Sequence, residues 1–296
     1  MSHLNFRITS GIRTVWFGLL WIALALTSAK ADPVLYAGYE DSENNFQQHF
    51  GTLDPITGSF TDIATEPVQL DGLGFAPDGI MYATDVNNVV YQVDPATGQL
   101  TEIGTSPYSI GGSTVGPDGL IYVISAASKA SFYTINPLTM ATHVINSNVG
   151  FISSSLAVLS GGLFYTVDAL NEPEVLYSIN PTTGAVTKIG TGLGSRTADV
   201  DLSAAANVNG TVYGMGGPDS NYNEIYTINT TTGKGTYTNV SATDTSSFEF
   251  SWDILAYDSA SPTPEPASAP LMAAGLAALC VAKFYRSRCA SQRSAS

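Results

Sequence analysis

Cysteine is nearly absent from the 296 residues: Cys280 and Cys289 are the only two, both near the C-terminal end. The long segment before them has no disulfide, no thiol nucleophile and no thiolate ligand, so its stability has to come from packing. Histidine is almost as scarce. His49 and His143 have no second histidine nearby, which argues against zinc. Positive charge is concentrated at the two ends. Between Asp32 and Pro266 the cations are Lys129, Lys188, Arg196 and Lys234, against all 25 acids of the chain, a formal charge of −21. A surface of that sign repels nucleic acid and anionic lipid and stays soluble through self-repulsion; it also suits cations or basic partners. Three motifs are missing as well. Amphipathic helical periodicity is not seen, no Gly-x-Ser-x-Gly elbow exists for a serine hydrolase, and no phosphate loop exists for a nucleotide. The glycine-rich Gly190-Thr-Gly192-Leu-Gly194 joins two predicted strands instead of opening a helix.

What the chain has instead is a repeat. Phe50-Gly-Thr-Leu53-Asp54-Pro55-Ile-Thr57-Gly58 recurs as Tyr91-Gln-Val93-Asp94-Pro95-Ala-Thr97-Gly98 and as Tyr177-Ser-Ile179-Asn180-Pro181-Thr-Thr183-Gly184. Weaker copies begin at Tyr133, where Met140 replaces the glycine, and at Tyr226, where Thr230 replaces the proline. The five copies are spaced 41, 42, 44 and 49 residues apart at their first aromatic. Each predicts a β-hairpin: alternating apolar and polar residues make a half-buried strand, Asp or Asn with Pro opens the turn, and Gly supplies the positive φ that closes it.

A second repeating element precedes the hairpins, in Pro77-Asp78-Gly79, Pro117-Asp118-Gly119, Gly161-Gly162 and Asn209-Gly210, each followed by a tyrosine-bearing strand. Four strands per 40 to 50 residues, with turn chemistry between them, predict an all-β protein of the β-propeller kind. The pattern resembles the blades of the NHL-type and lactonase-like propellers, a likeness generic to the architecture that carries no catalytic residue over. The first hairpin lacks an inner strand of its own and the last is followed by an orphan strand, Trp252–Tyr257. Joining the two gives five four-stranded blades closed by the C-terminal strand, with an open solenoid or a six-bladed ring as alternatives.

The ends are read as addresses. Arg7 and Arg13 precede an apolar stretch from Val15 to Leu26, and Ala29-Lys30-Ala31 supplies small residues for a signal peptidase, so residues 1–31 read as a signal peptide. At the other end Pro264-Glu265-Pro266 is followed by an apolar run and then by Lys283, Arg286, Arg288 and Arg293. The run is close to the roughly 20 residues a spanning helix needs, and the cations place its far end on the cytoplasmic side. Pro264 to about Arg288 resembles the tail of the PEP-CTERM proteins of Gram-negative bacteria. That resemblance implies sorting by an exosortase, passage through the inner membrane and delivery to the cell surface or the extracellular matrix. The expected organisation is a signal peptide (1–31), a repeat domain (32–258), a Ser/Pro/Thr linker (259–266), a hydrophobic helix (267–285) and a basic tail (286–296).

Candidate sites are few. The loops at Glu40–Asn45, Asp85–Asn88, Asp168–Glu172 and Pro218–Asn223 are acidic and amide-rich, chemistry that suits Ca²⁺ or sugar hydroxyls but is also what any β-turn selects. No spacing matches an EF-hand loop. Asp71, Asp199, Asp201, Glu249 and Asp253 fall at the starts of predicted inner strands, where converging carboxylates would suit a metal-assisted lactonase or a glycosidase pair. Two functions therefore stand: a non-catalytic surface protein binding exopolysaccharide, a cation or another protein, with no cofactor beyond a possible Ca²⁺, and an extracellular propeller hydrolase using those carboxylates.

Overall fold

The structure is a computed structural model. It describes residues 35–41, 47–127, 129–151, 157–158, 162–168, 174–194, 201–208, 210–217, 224–242 and 251–257, all within the compact unit Asp32–Ser261. The expected signal-peptide site (Ala29, Ala31) and the tail (Pro264, Glu265, Pro266, Lys283, Arg286, Arg288) lie outside the described residues.

Twenty strands and no helix occur among the described residues. They group into five antiparallel sets of four, of which the second and third are joined at their first strands by one parallel pairing, Gly72 opposite Ser113, into a single eight-stranded sheet. The first set is formed by both ends of the described chain: β20 (Ser251–Tyr257), β1 (Leu35–Asp41), β2 (Gln47–Leu53) and β3 (Phe60–Glu66). Then follow β4 (Leu70–Phe75), β5 (Met81–Asp85), β6 (Val89–Val93) and β7 (Leu100–Thr105), and after them β8 (Gly112–Val115), β9 (Ile121–Ile124), β10 (Phe132–Ile135) and β11 (Thr142–Asn146). The fourth set is β12 (Ala157–Val158), β13 (Phe164–Val167), β14 (Leu176–Ile179) and β15 (Val186–Ile189). The fifth is β16 (Asp201–Val208), β17 (Thr211–Gly217), β18 (Glu224–Asn229) and β19 (Lys234–Ser241). The orphan strand takes the place expected of it: β20 pairs antiparallel with β1, Leu35 opposite Tyr257.

The first strands of the sets touch in cyclic order, β20 to β4, β8, β12, β16 and back to β20. The apolar core is divided in the same way. Five buried clusters occur, each between two successive sets; Phe50, Leu70, Leu73 and Met81 belong to the one between sets one and two. The cluster with Leu35, Leu53, Phe60, Met215 and Ile225 joins set five back to set one. Each fully buried Leu, Ile or Phe contributes about 1.5–3 kcal/mol, so the stability of the array lies in contacts between repeats rather than within them. This also explains a departure from the expected half-buried strands. β5, β9, β10 and β13 are buried on both faces, because a neighbouring set covers each side.

The repeated turns form as their residues dictate. In the first, Asp54 Oδ1 accepts the backbone N–H groups of Ile56 and Thr57, while the Gly58 N–H donates to the Asp54 carbonyl. Asn180 and Asn229 hold their turns in the same way. Gly58, Gly98, Gly184 and Gly233 all have φ between 66° and 74°, and Met140 is forced into the same region at 58°.

These turn residues do a second job. Each packs against the outer strand of the preceding set: a Cβ on Gly98 would lie 2.4 Å from Ala64 Cβ, one on Gly184 2.6 Å from Asn146 Cβ, and one on Gly233 2.2 Å from the Ile189 carbonyl oxygen. For Gly58 the preceding strand is β19, where the Ser241 carbonyl oxygen would be 2.2 Å away. Where Met140 stands in the turn, the facing residue of β7 is Gly104, in the strand position that Ala64 holds in β3.

One sequence alignment has to be corrected. Phe50 was matched to Tyr91, but the register shift falls between Phe50 and Gly51 in set one and between Val90 and Tyr91 in set two, so Gly51 holds the tyrosine's place. A one-residue slip turns a strand residue to the opposite face. Phe50 accordingly packs toward set two, and Phe60 fills the space over Gly51, 2.6 Å from where a Cβ would be.

Gly58→Ala is expected to destabilise by about 2–5 kcal/mol, through the left-handed backbone and the clash with β19. Gly79→Ala, at φ 85° with nothing within 4 Å of the added carbon, should cost only about 1–2 kcal/mol. Thermal or denaturant unfolding of the pair measures the difference; equal losses would contradict the inter-set role of Gly58.

Candidate functional site

The hairpin connections between second and third strands and the crossings from one set to the next lie on the same side, since hydrogen bonds tie them together. The Ser106 N–H donates to the Asn88 carbonyl, and the Ile110 N–H donates to Asn88 Oδ1. Asn88 itself adopts φ 68° to do this. The ends of the described chain, Leu35 and Tyr257, pair with each other at the opposite side, because β1 runs from Leu35 toward the Asp41 loop.

The acid of the Asp85 loop, one of those suited to a cation or a sugar, is engaged by the fold. Buried Asp85 accepts N–H groups from Asn87 and Val89 through Oδ1 and the Tyr91 hydroxyl through Oδ2. Burial, reinforced by the Asp85 charge, pushes the Tyr91 hydroxyl up to about 12. Asp168 takes the equivalent buried position in set four, and Tyr226 in set five donates to Glu224. Asp118 plays a related part on the other side, accepting the Tyr122 hydroxyl at 2.9 Å and holding the turn at Leu120. Among the described residues no cluster of three His, Cys, Asp or Glu side chains is arranged to hold a metal ion.

The funnel carboxylates are partly placed. Asp71 lies in β4, Asp201 begins β16 and Asp253 lies in β20, three inner strands that touch in succession. Asp71 is half-buried and has an interaction partner. Asp199 and Glu249 lie outside the described residues, as do Asn171, Glu172 and the segment 218–223. His49 sits on β2, its Nδ1 3.0 Å from Asp62 Oδ2 across the strand pair and its ring stacked on Tyr39. His143 is exposed on β11.

Two features gave no signal in the linear pattern. Glu66, at the end of β3, is 5% exposed, and its Oε1 is buried without a hydrogen-bond partner beside Gly98 and Phe50. Burial pushes its carboxyl up to about 7. Tyr108, in the crossing from set two to set three, is 45% exposed.

A cyclic succession of four-stranded antiparallel sets, with turn acids satisfied inside the fold, defines a propeller-like repeat protein. Residues 51–199, half of the chain, match the family described as Repeat of unknown function (DUF6923), and the chain belongs to that family. Among solved structures it is similar to TolB from Acinetobacter baumannii, with a TM-score of 0.50 and 14% identity over 80% of this chain. It spans 61% of that TolB chain, and at such identity the likeness is one of fold. Looser likenesses are to the structure of a nidogen/laminin complex (TM-score 0.43, 12% identity, 69% of this chain and 91% of that one) and to a structural-genomics protein of unknown function from Bacteroides thetaiotaomicron VPI-5482 (0.41, 17%, 60% and 45%). No curated protein matches the sequence.

The buried Glu66 gives a pH prediction. Its folded value is raised from 4.5, so the native state holds the proton more tightly. Stability from this group is complete below about 4.5 and is lost as pH rises through about 7. Glu66→Gln should therefore gain about 1–3 kcal/mol over the parent at pH 8 and little at pH 4. Denaturant unfolding at the two pH values checks this, and an equal change at both would exclude Glu66 as the cause.

Proposed function

We propose that the chain is exported and that its repeats form a closed five-bladed propeller. The ring works as a non-catalytic binding domain at the cell surface or in the extracellular matrix, with exopolysaccharide as the favoured ligand. The observation that carries the binding reading is the use of Asp54, Asp78, Asp85, Asp94 and Asp118 to hold turns, a structural duty rather than a chemical one. The blade number is supported by the five inter-set clusters and by the pairing of β20 with β1.

Export and sorting rest on the ends of the sequence. A signal peptidase would cut after Ala31, and an exosortase would act at Pro264-Glu265-Pro266 after the apolar segment and Lys283, Arg286 and Arg288 have held the chain in the inner membrane. Tyr257, the last described residue, pairs with Leu35 on the side opposite the Asp85 and Tyr108 loops. The strongly acidic repeat domain fits a neutral or cationic partner and disfavours nucleic acid.

A hydrolase is the second reading, and the observation in its favour is the succession of Asp71, Asp201 and Asp253 on neighbouring inner strands. Their simultaneous change to asparagine separates the two. A binding domain keeps its ligand and shows no turnover of lactones or glycosides before or after the change, whereas a hydrolase loses an activity the parent displays.

Intact-mass and N-terminal analysis of the protein recovered from the surface and medium of producing cells tests export. A mature chain beginning at Asp32 and ending near Pro266 is expected. Glu265→Ala, or removal of the basic residues after Ala282, should leave it in the inner membrane. Surface delivery unchanged by either alteration refutes the sorting reading.

A further inference from the structure

We propose that Tyr108 is the platform of a binding site for a neutral polysaccharide, on the side of the repeat domain opposite its chain ends. The inference rests on the binding reading above and gives that reading a site and a ligand class.

The loop that carries Tyr108 is pinned at both ends. The Tyr108 N–H donates to Ser106 Oγ at 3.2 Å, and the hydroxyl of fully buried Tyr133 lies 3.1 Å from the Ser109 carbonyl and 3.3 Å from Ser106 Oγ. Asn88 grips both ends of the loop, its carbonyl accepting from Ser106 and its Oδ1 accepting from Ile110. The Tyr108 ring rests edge-on against Tyr133, with centroids 5.3 Å apart. A fixed aromatic face loses little entropy when a ligand lies against it.

Packing does not call for an aromatic there. In the crossing from set one to set two, Glu66-Pro67-Val68 matches Ser106-Pro107-Tyr108, and Val68 turns inward against the core while Tyr108 faces solvent. The surroundings suit a sugar. Exposed Pro107 and Ser109 flank Tyr108 in sequence, and Asn88, which holds both ends of the loop, follows exposed Val86 and Asn87. An exposed aromatic on a connection whose other residues carry amides and hydroxyls suits a pyranose ring, whose C–H face stacks on the aromatic while its hydroxyls find hydrogen bonds. A single exposed ring is too little for a protein hot spot, which needs a larger desolvated centre. Polyanionic sugars are disfavoured by the charge of −21 between Asp32 and Pro266.

The test is affinity electrophoresis of the full chain through gels containing dextran, galactomannan or a β-1,3-glucan, with alginate as the polyanionic control. At least one neutral polymer should retard the parent protein. Tyr108→Ala should weaken that retardation about tenfold, the stacking energy of one ring, with unchanged thermal unfolding. Tyr108→Phe, which keeps the stacking face, should retain most of it. If a neutral polymer binds and Tyr108→Ala binds it equally, the site lies elsewhere and this inference fails while the binding reading stands. Retardation by alginate alone overturns the ligand class. No retardation by any polymer counts against both this site and the exopolysaccharide reading.

Discussion

The close approach of a turn to the strand of the preceding repeat is the contact on which the rest depends. Five times along the chain, the residue that closes the turn between third and fourth strands lies against the outermost strand of the set before it. The space allows a glycine opposite a small side chain or a backbone carbonyl, as at Gly98 and Ala64 or at Gly58 and Ser241. Where a methionine stands in the turn, the facing strand position has given up its own side chain at Gly104. The two positions behave as one volume shared between repeats. The turn glycine thus answers two demands at once, a left-handed backbone and a neighbour within van der Waals distance.

Because the apolar clusters lie between sets, no repeat can bury its faces alone, and the first set can do so only by taking its inner strand from the far end of the chain. This makes the closing cluster around Leu35, Phe60 and Met215 equal in kind to the four others. It also draws the entry and exit of the domain together at one side. Among the described connections of the opposite side, Asp85 and Asn88 serve the backbone. Asp85 shows how far this goes: three donors converge on one carboxylate, and a neighbouring tyrosine contributes one of them. Tyr108 is exposed on that side.

Most of the secondary structure was legible in the turns. Asp-Pro-x-Thr-Gly and Pro-Asp-Gly announce the chain reversals through side-chain caps and positive φ, both local effects that survive any tertiary context. The mismatch at Phe50 is one of register. Phe50 stands four residues before Asp54 whereas Tyr91 stands three before Asp94, so an aromatic one position early reads as the aromatic of the motif although it faces the other neighbour. Glu66 was illegible for a different reason: nothing in its surroundings along the chain marks it as buried, since the residues that cover it, Gly98 and Phe50, belong to another repeat and another strand. The acidic loops looked like ligand sites because turn chemistry and oxygen-ligand chemistry draw on the same residues.

Read alone, then, the amino-acid order determined the class of fold and the number of hairpin copies, because each follows from residue types acting over a few positions. Tertiary structure alone decided which aromatic faces which neighbour, which carboxylate is stranded without a partner and which ring is held out to solvent. Those outcomes depend on contacts between residues roughly 20 to more than 200 positions apart, from Asn88 with Ile110 to Leu35 with Tyr257, and such contacts exist only once the sets have packed against one another.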